Sequence, residues 1–233
     1  CYGMTAITAL TVQDTVGVSG IHGVPPAFLK AQIQAVVEDI GVDAVKIGML
    51  HSPEVVQVVA DAIRRYQLPN VVLDPVMVAK GGAALLEDDA VEAMLRLLVP
   101  LATVVTPNTP ELAALAGSDI EDEGDVVLAA QELLDLGARA VLAKGAHMDG
   151  AEIADWLVTP SLQTRFVSAR IDTVHTHGTG CTLASALATL LGQGVALPEA
   201  VERARNYVQS AIRAAPGFGA GHGPLGHNWA LAR

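Results

Sequence analysis

Short β-branched runs alternate along this chain with stretches whose apolar residues recur at helical spacing. The runs "AITALT", "DAVKIGML", "VVLDPVM", "ATVVTPN" and "RAVLAKG" read as strands. Between them, "PPAFLKAQIQAVVEDI", "PEVVQVVADAIRRY", "DDAVEAMLRLL" and "VVLAAQELLDL" read as helices. A strand pair around "ADWLVT" and "QTRFVSA" follows, then two C-terminal helices. In the first of these, Leu183, Ala186, Leu187, Leu190 and Leu191 make one apolar face, and Gly192 and Gly194 end the helix. The alternation predicts an α/β protein whose mainly parallel sheet is covered by helices on both faces. No repeat or linker interrupts the pattern, so residues 1–233 read as a single domain.

In an open α/β sheet, ligands bind beyond the carboxyl ends of the strands. The segments "KIGM", "LDPVMVAKGG", "TPNTPE" and "AKGAH" each follow an apolar run, so their side chains are expected to converge on one rim. The stretch "HTHGTGCTLASALATLLGQG", His175 to Gly194, adds a second feature. Its "GTGC" opens a helix, whose first N–H groups have no partner and carry a partial positive charge, and glycines let an anion approach closely. Gly178, Thr179 and Gly180 therefore read as an anion hole. In that field the Cys181 thiol is expected to drop from about 8.5 toward neutrality, which suits it to accept a proton from a hydroxyl. The same pattern also fits a buried structural cysteine, or a nucleophile paired with His175 or His177. A metal site on "HTH" and Cys181 lacks a recognisable fourth ligand. Neither a P-loop nor a dinucleotide G-x-G-x-x-G is present, which leaves "GTGC" as the leading phosphate site.

Charge narrows the class. The 233 residues carry a formal net charge of -11 and no Lys/Arg run, which argues against nucleic acid and for a small-molecule substrate. Cys1 and Cys181 are the only cysteines, so no disulfide framework is expected and a reducing cytoplasm is the natural setting. Apolar runs are broken well short of the roughly 20 residues of a membrane span, and no signal-peptide pattern is read. The sequence opens at "CYGMTAITALT" without an initiating Met, and a further strand upstream is expected.

The motifs "KIGML", "VVLDPVMVAKGG", "VVTPNTPE", "HTHGTGCTLASALA" and "GHGPLGH" occur in an order and spacing that resemble the hydroxymethylpyrimidine and phosphomethylpyrimidine kinases of thiamin biosynthesis, within the ribokinase-like superfamily. The resemblance runs from residue 1 to about the C-terminal end. It implies a three-layer α/β/α sandwich and ATP-dependent phosphorylation of 4-amino-5-hydroxymethyl-2-methylpyrimidine and its monophosphate. It also implies Cys181 as the base that sugar kinases supply with an Asp, over the anion hole of Gly178, Thr179 and Gly180. Asn108 and Glu111 match the Asn-x-x-Glu motif that organises Mg²⁺ through waters. Taken locally, they are equally the cap and first turn of a helix. Lys144 matches the lysine that reaches the nucleotide phosphates. Gln13 matches the glutamine on the aminopyrimidine edge, and Met49 and Val76 the residues that sandwich the ring. Asp74 is placed near the phosphates or as a loop cap, and His177 is a further candidate. A homodimer is implied as well. The family's N-terminal strand and Ser/Gly-rich loop have no counterpart in these residues, and Ala146 stands where the family usually has Gly.

Other readings stay open. Pyridoxal kinase and hydroxyethylthiazole kinase share the cysteine and take similar flat heteroaromatics. A sensor that binds the pyrimidine without consuming ATP would keep the fold but not the chemistry. A cysteine hydrolase built on Cys181 and His177 would need no Mg²⁺.

Overall fold

The central sheet follows from three-residue apolar runs such as Val71-Val72-Leu73, in which every side chain is buried, the pattern of a parallel strand covered on both faces. The computed structural model describes residues 1–78, 82, 85–148 and 150–231. The end of the "LDPVMVAKGG" motif at Ala79, Lys80 and Gly81 lies outside them, as does most of the "GGAA" patch.

Two strands, β1 (Ala9–Gln13) and β2 (Val18–Gly23), form an antiparallel hairpin apart from the main sheet. The main sheet consists of β3 (Val45–Ile47), β4 (Val71–Leu73), β5 (Val104–Val105), β6 (Val141–Ala143), β7 (Glu152–Thr159) and β8 (Leu162–Ala169), in that spatial order. The first four run parallel, and β7 and β8 are antiparallel additions at one edge. The helices are α1 (Pro26–Asp39), α2 (Pro53–Tyr66), α3 (Asp88–Leu97), α4 (Thr109–Ala116), α5 (Glu123–Asp135), α6 (Thr179–Gly192) and α7 (Leu197–Arg213).

Alternation along each strand sorts the core into two layers. Val71, Leu73, Val105 and Val141 face one cluster with Leu29 of α1, Val56 of α2, Met94 of α3, Leu112 of α4 and Leu133 of α5. Val72, Val104 and Leu142 face the other cluster with Leu183 and Leu187 of α6 and Val201 and Val208 of α7. The result is the expected three-layer α/β/α sandwich. Each buried Leu or Val contributes about 1.5–3 kcal/mol, so the two layers carry most of the favourable energy.

The hairpin departs from the sequence reading. The run taken as "AITALT" forms a strand only from Ala9, and β2 was not foreseen. Its sequence, "VSGIHG", has two glycines and a histidine and no sustained apolar period. The turn supplies the order instead: Asp14 Oδ1 accepts from Val16 N at 2.8 Å and from Gly17 N at 3.0 Å. Among the described residues no helix is long and apolar enough to cross a membrane.

Candidate active site

The site is assembled at the carboxyl ends of β3 to β6. Asp74 directly follows β4, where its backbone N–H donates to Ile47 O at 2.9 Å and so extends the β3–β4 ladder by one residue. Its side chain is 1 % exposed. Lys144, one residue beyond β6, donates from Nζ to Asp74 Oδ1 at 2.9 Å, and Lys46 Nζ from β3 lies 3.5 Å from Oδ2. Thr106, just past β5, adds an O–H bond to Oδ1 at 3.2 Å. Four neighbouring strand ends thus meet on one carboxylate.

Charge explains the arrangement. Burial alone would push the Asp74 carboxyl up, but Lys144 and Lys46 together hold it below the ordinary carboxylate value. Burial likewise acts to pull the Lys144 ammonium down, and Asp74 and then Glu111 hold it above the ordinary lysine value. Glu111 Oε2 is 3.7 Å from Lys144 Nζ, against 2.9 Å for Asp74, so Asp74 is the principal partner. Burial dominates at Glu111, and its carboxyl is pushed up despite Lys144.

Asn108 and Glu111 form a reciprocal capping box on α4. Asn108 Oδ1 accepts from Glu111 N at 2.9 Å and Glu111 Oε2 accepts from Asn108 N at 2.7 Å. The local helix-entry reading is therefore realised, and it delivers Glu111 to the lysine in the same step. Thr109 Oγ1 also reaches Lys144 O at 3.4 Å.

Opposite this cluster stands the N-terminus of α6. Gly178 takes the N-cap position at φ +81°, a left-handed conformation suited to glycine, and provides no side-chain cap; Thr179 N donates to Thr176 O at 3.3 Å, which leaves the N–H groups of Gly180 and Cys181 for a ligand. Thr179 Oγ1 is turned back onto Thr176 O at 2.7 Å. A Cβ on Gly180 would lie 3.1 Å from Lys144 Nζ and 4.0 Å from Asp74 Oδ1, so the glycine brings the helix start directly against the charged cluster.

Cys181 corrects one expectation. Its surface opens into the cavity, yet enough protein surrounds it that burial pushes the thiol above its ordinary value. Lys46 opposes this, while the negative charge of Asp74 reinforces it. The thiol is held protonated, and the predicted drop toward neutrality does not occur. The helix-terminus argument left out burial, the largest effect on the thiol, and the charge of Asp74 that adds to it.

His177 is engaged by its backbone: its N–H donates to Gly223 O at 3.2 Å, and it forms a short parallel bridge with Pro224. It anchors the C-terminal glycine-rich segment, and the charges that act on Cys181 are those of Lys46, Asp74 and Lys144. The geometry does not assemble a Cys-His dyad. Gln13, Met49 and Val76 line the same cavity as Cys181 and Lys144. Gln13 ends β1 beside a bulge, Met49 O accepts from Thr8 Oγ1 at 2.7 Å, and Val76 N donates to Asp74 O at 2.8 Å. The cavity encloses about 2090 Å³ and continues along β3 between α1 and α6, well beyond what a small ligand fills. Lys46 and Thr106 open the "KIGM" and "TPNTPE" segments expected on this rim, but sequence reasoning gave neither an individual role. The available signal for Lys46 was a lysine inside an otherwise apolar strand.

A parallel sheet whose strand ends carry lysines and a buried aspartate, faced by an uncapped Gly-Thr-Gly helix start, defines a small-molecule kinase of the ribokinase-like class. The family profile described as Phosphomethylpyrimidine kinase matches residues 1–226. The chain belongs to that family. It is 43% identical over 227 residues to the hydroxymethylpyrimidine/phosphomethylpyrimidine kinase of Bacillus subtilis, covering 97% of this chain and 84% of that one. It is 52% identical over 226 residues to the thiamine biosynthesis bifunctional protein ThiED of Geobacter sulfurreducens. That match takes in 97% of this chain and 46% of the relative, so the chain spans about half its length. Among solved structures, the ADP complex of Bacillus subtilis pyridoxal kinase superposes with a TM-score of 0.92 at 33% identity, covering 100% of this chain and 88% of that one. The phosphomethylpyrimidine kinase of Clostridium difficile gives 0.81 at 39% identity, covering 91% and 87%.

Proposed function

We propose that this protein transfers the γ-phosphoryl group of ATP to the hydroxymethyl oxygen of 4-amino-5-hydroxymethyl-2-methylpyrimidine, and then phosphorylates the monophosphate. The observation that carries the reading is the pairing of the Lys46–Asp74–Lys144 cluster with the uncapped start of α6, which sets fixed cations and N–H donors around one point. Phosphoryl transfer needs little covalent help, and its cost is met by groups already aimed at the oxygens on which charge collects. Gly178 and Gly180 supply N–H donors to the transferring group, Thr179 N–H being held by Thr176 O, and Lys144 leaves part of its bond with Asp74 to meet the nucleotide phosphates.

Cys181 stands at the first turn of α6 as the group that receives the hydroxymethyl O–H. The hydroxyl proton passes to Sγ late, as the O–P bond forms, once the thiol has released its own proton to solvent through the open cavity. Gln13 pairs with the aminopyrimidine edge, with Met49 and Val76 against the ring faces. The donor set near the phosphates fits Mg²⁺ carried with ATP. Glu111 offers one carboxylate beside Asn108, and among the described residues no group of three His, Cys, Asp or Glu side chains forms an all-protein metal cage. When bound, the ion would neutralise phosphate charge. We further read residues 1–233 as one kinase domain, acting as a cytoplasmic homodimer.

A second reading, pyridoxal as substrate, is favoured by the TM-score of 0.92 to a pyridoxal kinase. Comparing kcat/KM for the two acceptors with ATP decides between them. A higher value for the hydroxymethylpyrimidine supports the proposal, and a higher value for pyridoxal overturns it. ATP consumption with neither, alongside measurable binding of the pyrimidine, moves the assignment to a sensor.

A further inference from the structure

Asp155 on β7 is 7 % exposed and, with Arg205, belongs to the lining of the cavity that holds Lys144 and Cys181. Its two oxygens are divided: Oδ1 accepts the backbone N–H of Gly145 at 2.8 Å, and Oδ2 accepts Nε of Arg205 from α7 at 2.7 Å. Arg205 is fixed in turn by Phe166 O at 3.0 Å and Ser168 Oγ at 3.2 Å on β8, with its guanidinium 5.6 Å over the Phe166 ring.

Gly145 is the residue after Lys144, and it leads a 3-10 turn from Gly145 to His147. The turn is tight: a Cβ on Gly145 would collide with the carbonyl oxygen of Ala154. The Lys144–Gly145 peptide is therefore held at both ends, with Asp155 on its N–H and Thr109 Oγ1 on its C=O, while Lys144 N donates to Pro107 O at 2.8 Å. A buried ion pair rarely stabilises a fold better than well-packed apolar side chains of the same volume. An apolar pair here would fill the space but would leave the Gly145 N–H buried without an acceptor.

We propose that Asp155, charge-balanced by Arg205, is a positioning residue for phosphoryl transfer that sets the Lys144 ammonium through the Gly145 peptide. The inference rests on the reading of Lys144 as the ligand of the nucleotide phosphates. Without the acceptor on Gly145 the turn relaxes, and the Lys144 stem leaves β6 in a different direction, so the ammonium no longer meets the transferring group. A misplacement on the order of 1 Å costs up to about a hundredfold in rate.

The test separates positioning from stability by comparing Asp155→Ala, Arg205→Met and the double variant. Removing one partner of a buried pair leaves an uncompensated charge, whereas removing both relieves it, so the thermal midpoint is expected to fall in each single variant and recover in part in the double, which still lacks the acceptor for Gly145 N–H. Turnover is expected to follow the Gly145 acceptor instead. Arg205→Met keeps kcat within about threefold, while Asp155→Ala and the double variant lose about tenfold or more, with KM for the pyrimidine unchanged. Should Asp155→Ala fail to fold, the double variant alone carries the comparison. Recovery of kcat in step with the thermal midpoint, or wild-type kcat in the double variant, overturns the inference. Lys144→Ala serves as the control: wild-type turnover there overturns the Lys144 reading and this inference with it, while loss there with wild-type kcat in the double variant overturns the inference alone.

Discussion

Cys181 sits where a helix N-terminus and a buried carboxylate act on one thiol in opposite senses. The N-terminus was legible in "GTGC", but Asp74 is more than a hundred residues away in the chain, and no local pattern could announce that burial and its negative charge together hold the thiol protonated. The consequence is testable by pH. Because the folded thiol lies above its ordinary value of 9.0, its neutral form contributes stability that is complete below that value and is lost as pH rises through the higher folded one. Alkylation of Cys181, followed by peptide mapping, is accordingly expected to accelerate only at pH above that of an exposed model thiol. A midpoint near neutrality would contradict the assignment. Cys181→Ser is expected to reduce kcat by roughly a hundredfold and leave KM for ATP within about twofold, because the base contributes to the chemical step and not to nucleotide affinity.

At the scale of elements, the strand ends make the site. The apolar runs of β3 to β6 were readable because parallel strands buried on both faces are continuously hydrophobic, and the residues following them were the natural candidates. Register in the antiparallel hairpin β1–β2 was not readable, since turn hydrogen bonds to Asp14 do there what an apolar period does elsewhere. Asn108 and Glu111 illustrate how a local rule and a functional one coincide: the capping box that starts α4 is also what aims Glu111 at Lys144. Asp74 ties the ends of all four strands together, and Asp74→Asn leaves Lys46 and Lys144 facing each other with Glu111, 3.7 Å from Lys144, as the remaining counter-charge. The expected loss at neutral pH is about 3–5 kcal/mol, measured by denaturant unfolding. The sign with pH is fixed by the lowered folded carboxyl. Its contribution is present above the ordinary value of 3.8 and disappears as pH falls through the lower folded one, so the acid limb of the stability profile is expected to be shallower in Asp74→Asn. An acid limb identical to wild type would contradict the ion-pair account.

For the whole molecule, the three-layer arrangement was foreseen because strand and helix periods alternate cleanly, and the two core clusters divide along the pleat as that alternation requires. The outer face of the hairpin was not foreseen. Leu10 and Val12 on β1 are 56 % and 67 % exposed, an apolar surface compatible with the homodimer we propose. Sedimentation at micromolar concentration is expected to give a dimer, and a monomer would remove that part of the proposal. Chemistry at the junction of α6 with the strand ends is tested most directly by ³¹P NMR of the reaction of ATP with the hydroxymethylpyrimidine. One phosphomonoester is expected for each ADP formed, with the signal strongly diminished in Cys181→Ser. ADP accompanied by inorganic phosphate and no phosphomonoester, or equal product from Cys181→Ser, would contradict it.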